Sequence, residues 1–235
     1  MAAILDWTPF TVAFVLFLAS HAVPARPALR ARLVRALGER VYLLLYAGLS
    51  VVLLGWLIVA AARAPFVPLW TFEPWQLRVP AIVMPVAILL AACALGAPNP
   101  LSFGGARNER FDPAAPGVAG VVRHPLLWAI GLWAASHLVP NGDLAHVLLF
   151  GVFIAMAVAG MVALDRRHRR RCGEARWRVL AQATSNMPLG SLLDGRWHPG
   201  RPTAGLLLRV VLGLSVWIVL LALHPIVIGV SPLPH

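Results

Sequence analysis

The sequence has few charged residues and no lysine. Charged side chains make up 12% of the 235 residues, about half the share found in soluble domains, and every strong base is an arginine. Hydrophobic residues make up 60%, and the mean hydropathy is +0.78. This balance indicates an integral membrane protein. We interpret the missing lysine as a compositional bias without functional meaning.

Cysteines and soluble-enzyme motifs are also scarce. The two cysteines, Cys93 and Cys172, lie far apart in an apolar run and an arginine cluster, and they predict neither a disulfide nor a metal-ligand pair. The sequence has no G-x-S-x-G, H-E-x-x-H, phosphate-loop or dinucleotide-binding pattern. The apolar segments contain no charged residue away from their ends, which argues against an ion-coupled transporter and against hydrolysis by carboxylates.

Long apolar runs, in contrast, are abundant. A membrane-spanning helix needs about 20 residues, and six segments meet or approach that length: Ile4–Ala22, Val41–Ala62, Val79–Gly96, Val118–Val139, Leu144–Leu164 and Ala204–Gly229. The pattern shows no internal repeat and no second domain. We therefore predict an all-α, polytopic transmembrane helical bundle of about six spans, formed by residues 1–235 as a single domain.

The basic residues lie between the apolar runs and predict an orientation. A nucleic-acid-binding protein needs a solvated basic face, whereas arginines beside apolar spans mark the cytoplasmic side of a membrane. Three inter-span segments contain most of the arginines, and only Arg63 and Arg78 fall on the opposite side. We therefore expect both termini outside, the lipid bilayer as the surroundings, and no nucleic acid partner.

Histidines are the remaining candidates for chemistry. His21 ends the first span, His124 and His137 lie near the two ends of the fourth, and His224 lies in the sixth. An intramembrane histidine often donates to a backbone carbonyl, and His224, which precedes a proline, fits that structural role. Two imidazoles facing each other in a bundle also suit haem ligation. Zinc fits less well because it needs three or four ligands.

Two long motifs resemble the NnrU family of bacterial membrane proteins: FLASHAVPARPALRARLVRALGERVYLLLYAGLS and RHPLLWAIGLWAASHLVPNGDLAHVLLFG. The second combines an R-H-P opening with the pattern W-x-x-x-H-L-x-x-N-G-D-L. The resemblance covers nearly the whole chain and implies a multi-pass protein of the bacterial inner membrane. The family occurs with nitric oxide and nitrite reduction systems, which implies denitrification-linked redox metabolism with a membrane redox partner.

The family is also similar to zeta-carotene isomerase of plants and cyanobacteria, a membrane enzyme that uses haem b. By that resemblance, His21 in ASHAV and His137 in ASHLV are the expected axial ligands of a haem iron. Ala134 stands where the isomerase has a cysteine that is implicated as an alternative ligand. The resemblance therefore extends to haem binding, and isomerase-like chemistry stays an open alternative.

Other interpretations of the R-H-P segment stay open. In the predicted topology His21 and His137 differ in depth by ~15 Å, so His124, next to Arg123, is the alternate haem ligand. A similar R-H-P helps bind S-adenosylmethionine in isoprenylcysteine carboxyl methyltransferase-like enzymes, although their paired glutamates are absent here. A purely structural role would place Arg123 at the lipid head groups and Pro125 in the first helical turn. A non-catalytic accessory protein of a respiratory complex is the remaining alternative.

Two shorter predictions concern the ends of the spans. The sequence PNGD, residues 140–143, predicts a tight turn in which Asn141 and Gly142 take positive φ angles and Asp143 caps the following helix. The remaining histidines are expected in loops or at ends without a partner: His146, His168, His198 and His235.

Overall fold

The computed structural model describes residues 6–24 and 26–233. Within those ranges the chain is helical, and its extended pairing is a single bridge between Pro68 and Asp143. The α-helices are α1 (Thr8–Ala22), α2 (Pro27–Leu37), α3 (Glu39–Ala62), α4 (Arg78–Ala94), α5 (Val118–Val121), α6 (Pro125–Leu138), α7 (Leu144–Cys172), α8 (Glu174–Ala181), α9 (Gly190–Leu193) and α10 (Ala204–Val227). The predicted all-α class is confirmed. Ile4 and Leu5 of the first predicted span, both termini and His235 lie outside the described residues.

Four helical segments are long and apolar enough to cross a membrane: α3, Pro74–Ala94 (a 3₁₀ turn joined to α4), α7 and α10. They coincide with the second, third, fifth and sixth predicted spans. A fifth candidate arises if α1 and α2, which are bent by 81°, form one broken span. The predicted count of six and the orientation of the termini stay predictions.

The fourth predicted span is interrupted. Instead of one helix over Val118–Val139, the chain forms the short α5 and then the 14-residue α6. Val122 is extended between them, with φ −159° and ψ 137°. The residue before a proline is sterically pushed out of the helical region, so the helix restarts at Pro125, where the missing N–H costs nothing. The predicted helix start at Pro125 is confirmed, while the predicted length was wrong.

The helix that contains the fifth predicted span continues past Leu164, where that predicted span ends. Helix α7 has 29 residues and continues through Asp165 and the arginine cluster as far as Cys172. His168 therefore lies in a helix, contrary to the predicted loop. Neither arginine nor histidine breaks a helix, and the chain leaves the helical conformation only at Gly173, which has φ +83°.

The chain divides into two compact units. The first comprises residues up to Thr71 together with Asn141–Leu149, and the second comprises Phe72–Pro140 together with the chain from Phe150 onward. In the second unit, α4 packs against α6 and α10. Arg209 of α10 donates to the carbonyls of Ala92, at 3.1 Å, and of Leu95, so a cation satisfies the C-terminal carbonyls of α4.

The PNGD segment, whose residues 141–143 belong to the first unit, differs from the predicted turn. Asp143 caps α7 as expected, because its Oδ1 accepts from the His146 N–H at 3.2 Å. Neither Asn141 nor Gly142 takes a positive φ, however. The Gly142 carbonyl instead accepts from the backbone N–H of Leu69 at 2.7 Å. The glycine is required by close approach, since an added Cβ would lie 2.5 Å from the Trp70 carbonyl oxygen.

We predict that Gly142→Ala lowers the free energy of unfolding of the detergent-solubilised protein by about 1–3 kcal/mol, and with it the melting temperature, because a methyl group would overlap rigid backbone. Gly48→Ala is the matched control, since an added Cβ there meets nothing within 4 Å and alanine favours a helix. The measurement is the melting temperature of each variant. Equal melting temperatures for the two variants would contradict the close-approach explanation.

Candidate functional site

His21 and His137 end two helices that carry the same local motif. The sequences are FLASH (residues 17–21) and WAASH (residues 133–137), an aromatic residue followed three and four positions later by serine and histidine. We call each of them a Ser-His motif. In the first, the Phe17 carbonyl accepts from Ser20 Oγ at 2.7 Å and lies 2.8 Å from His21 Nδ1.

The second Ser-His motif repeats this arrangement. The Trp133 carbonyl accepts from Ser136 Oγ at 3.0 Å and lies 2.9 Å from His137 Nδ1. A carbonyl can only accept, so in both motifs Nδ1 carries the proton and the lone pair of the neutral ring is on Nε2. That is the nitrogen that most often ligates a metal, with Nδ1 held by an outer hydrogen bond.

Aromatic side chains surround both imidazoles. The His21 ring centroid lies 4.3 Å from that of Phe17 and 5.8 Å from that of Tyr46. The His137 centroid lies 5.9 Å from Trp133 and 5.7 Å from Phe150. His21 belongs to the first compact unit and His137 to the second. Each histidine is therefore oriented by its own helix and packed against apolar rings.

Two other histidines also have partners. His224 Nδ1 donates to the Val230 carbonyl at 2.8 Å. The structural role predicted for His224 therefore fits, although the carbonyl lies beyond Pro225. His146 was expected to be unpartnered, and that expectation was wrong, because its Nδ1 lies 2.6 Å from Asp143 Oδ2.

The most buried polar cluster of the described residues is formed by the R-H-P segment and α7. Arg123 Nη1 lies 2.6 Å from Asp165 Oδ2, and His124 Nε2 lies 3.1 Å from Asp165 Oδ1. Arg123 is 8% exposed and His124 is fully buried. Arg123 thus does not anchor at lipid head groups, which corrects that expectation. The Arg123 guanidinium remains charged inside the protein.

The segment after α8 completes this cluster. Asn186 Nδ2 donates to Asp165 Oδ2 at 2.9 Å, and Arg123 Nε donates to Thr184 Oγ1 at 2.8 Å. The backbone N–H of Arg123 donates to the Ser185 carbonyl at 2.7 Å. The cluster therefore joins the residues before α6, the C-terminal part of α7 and the chain at 184–186 in one hydrogen-bonded network.

His124 differs from the two Ser-His motif histidines in which ring nitrogen holds the lone pair. Its Nε2 faces the Asp165 carboxylate and donates to it, so the lone pair of the neutral ring lies on Nδ1. Nδ1 is buried and has no hydrogen-bond partner among residues 6–24 and 26–233. Arg123 and His124 therefore belong to the internal network through Asp165, and their alternate roles in binding haem or S-adenosylmethionine stay predictions.

Sequence reasoning missed Asp165. The residue stands just beyond the predicted end of the fifth span and just before five arginines in seven residues, so it was counted with the solvated basic segment. The helical spacing contained a usable signal, because Asp165, Arg169 and Cys172 lie on one face of α7 at i, i+4 and i+7. Arg169 stacks 3.8 Å over the Trp177 ring, and Cys172 packs against the same core.

The described residues contain no group of three or more histidine, cysteine, aspartate or glutamate side chains that could hold a metal ion. A zinc site normally needs such a group. Both cysteines are free thiols. The assignment of His21 and His137 as ligands of a haem iron stays a prediction.

The Arg123–Asp165 pair predicts a large stability effect. Asp165→Asn removes the negative charge and leaves the Arg123 guanidinium buried without compensation, so we expect a loss of about 3–5 kcal/mol. Glu174→Gln is the matched control, because it breaks the exposed pair with Arg178, which contributes about 0–1 kcal/mol. Thermal unfolding in detergent measures both variants, and similar losses in the two would contradict the role given to the buried pair.

Comparison with known proteins connects this structure to a family. The model of the family described as NnrU protein matches residues 9–232, so the match includes both Ser-His motifs and the buried Arg123–Asp165 cluster. No curated protein and no solved structure matches the chain. The chain belongs to the NnrU family.

Proposed function

We propose that the protein binds b-type haem through His21 and His137 and acts in redox metabolism linked to nitric oxide at the bacterial inner membrane. The Ser-His motif is the observation that carries the proposal. Two helices repeat the same hydrogen bonds, and in both the carbonyl fixes the proton of the neutral imidazole on Nδ1, which leaves the lone pair on Nε2. Repetition of one arrangement at two histidines favours a shared task over independent packing.

The residues present fit such a group. Bis-histidine ligation of haem requires two neutral imidazoles in apolar surroundings, and both rings contact aromatic side chains. When bound, the haem supplies one-electron redox chemistry. The serine and carbonyl of each motif fix the ring orientation and the tautomer, and the hydrogen bond to Nδ1 makes the ligand nitrogen more basic. These residues thereby tune the reduction potential.

Ala134 favours electron transfer or gas-linked redox chemistry over isomerase-like chemistry. It is fully buried and offers no sulfur as an alternative ligand. A membrane redox partner would supply the electrons.

We also propose six membrane crossings with both termini outside. Helix α1 and the 14-residue α6 are shorter than the other four apolar segments, and six of the α6 residues are buried inside the protein. A short helix can cross where neighbouring helices replace lipid. The arginines of α2 and of the C-terminal end of α7 then lie on the cytoplasmic side.

Haem binding is tested by the reduced-minus-oxidised absorbance spectrum of the protein purified in detergent from haem-sufficient cells. We expect a Soret band in the wild-type protein and at least a tenfold loss of that band in His21→Ala and in His137→Ala. His198→Ala is the control, because His198 is exposed in a loop, and it should retain the band.

Two results would decide against this proposal. A haem-free protein that still complements a deletion strain would support the accessory-protein alternative. A Soret band lost in His124→Ala but kept in His137→Ala would move the ligand to the R-H-P segment.

Orientation is tested with single cysteines in a Cys93→Ser/Cys172→Ser background. Phe66→Cys and Leu193→Cys use exposed positions, at 77% and 80% exposure, on opposite predicted sides. In intact cells with a permeabilised outer membrane, we expect an impermeant maleimide to label Phe66→Cys and to label Leu193→Cys only after lysis. The reverse pattern would invert the topology, and labelling of both in intact cells would rule out the predicted span number.

A further inference from the structure

The last two turns of α7 present an arginine face that the internal network does not use. Arg166, Arg167, Arg170 and Arg171 lie with Ala163 along one side of the helix and line an open cleft of about 500 Å³. All four arginines are exposed. None of them forms an ion pair with an acidic side chain in the described part of the chain. We call this surface the arginine face.

The opposite side of the same two turns holds the helix in register. Asp165 is bound by Arg123 and His124, Arg169 stacks on Trp177, and Cys172 packs against the core. Rotation about the helix axis would break these contacts. The arginine face is therefore a fixed surface, although its side chains are long.

Uncompensated like charges at i and i+4 destabilise a helix. Arg166 and Arg170 form one such pair, and Arg167 and Arg171 form a second. An anionic ligand would compensate the repulsion between these four cations. Guanidinium groups bind phosphate oxygens through paired hydrogen bonds, and the two levels of arginines are one turn apart, about 6 Å along the axis.

The depth of the arginine face identifies the source of the phosphate. The arginines follow directly on the apolar part of a candidate membrane span, and Ala163 extends the cleft toward the apolar turns. At that level the available anions are the head groups of the surrounding lipids, and basic pockets beside transmembrane helices are suited to lipids with two phosphates.

We propose that the arginine face is a binding site for an anionic phospholipid, with a preference for a head group that carries two phosphodiesters. Each arginine level contacts one phosphodiester, and the acyl chains continue along the apolar turns of α7 beyond Ala163. The site is independent of haem ligation.

The test is the thermal stability of the full-length protein in a neutral detergent with added lipid. Cardiolipin should raise the melting temperature of the wild-type protein by several degrees, because a ligand that binds only the folded state stabilises it. Phosphatidylglycerol at equal phosphate should raise it less, and phosphatidylcholine should leave it unchanged. Native mass spectrometry should show one retained cardiolipin.

Two double variants give the comparison at equal net charge. Arg166→Gln/Arg170→Gln should lose more than half of the cardiolipin shift, whereas Arg110→Gln/Arg201→Gln, at exposed positions outside α7, should keep it. Without lipid, the α7 variant should be at least as stable as the wild type, because like charges have been removed. Should that variant fail to fold, Arg167→Gln/Arg171→Gln examines the same face.

Three outcomes would overturn the proposal. The first is a cardiolipin shift that persists in the α7 variants. The second is an equal loss in both double variants, which would indicate general charge attraction. The third is a wild-type shift of the same size with sodium phosphate or phosphatidylcholine, which would point to a free anion or to nonspecific lipid.

Discussion

The second unit depends on one buried ion pair, Arg123–Asp165. An uncompensated charge is too costly to bury, so the guanidinium and the carboxylate fix each other's positions. The carboxylate also accepts from His124 and Asn186, so three side chains from two other parts of the chain converge on two oxygen atoms. Apolar packing alone gives helices a range of rotations and depths, whereas directional hydrogen bonds to a buried ion pair restrict both.

The sequence predicted the features of this protein that depend on composition and missed those that depend on tertiary contacts. Four apolar spans, the start of α6 at Pro125 and the cap at Asp143 follow from local rules and are present. The break before Pro125 was also readable, since proline restricts the preceding residue, but hydropathy outweighed that signal. Gly142 is the clearest example of a tertiary requirement. The position must be glycine because a side chain there would overlap Trp70, which lies more than seventy residues earlier in the chain.

The candidate site shows the same division. The family resemblance selected His21 and His137, and their matched hydrogen bonds are visible only in the structure, although FLASH and WAASH can be read side by side in the sequence. Sequence reasoning missed Asp165 because the apolar run ends at Leu164, which placed Asp165 on the solvated side of the membrane. A carboxylate at the edge of an apolar run should instead be examined for an arginine elsewhere in the chain that it could pair with inside the protein.

The two faces of the last two turns of α7 fix the spacing of the residues along them. Each residue turns an α-helix by about 100°, so one inserted or deleted residue between Asp165 and Arg169 would carry Arg169 and Cys172 away from the core that they contact and turn another arginine toward the interior. Compensating changes elsewhere could not easily restore both contacts. Homologous chains should therefore vary in the length of their loops while keeping a constant number of residues between Asp165 and Cys172.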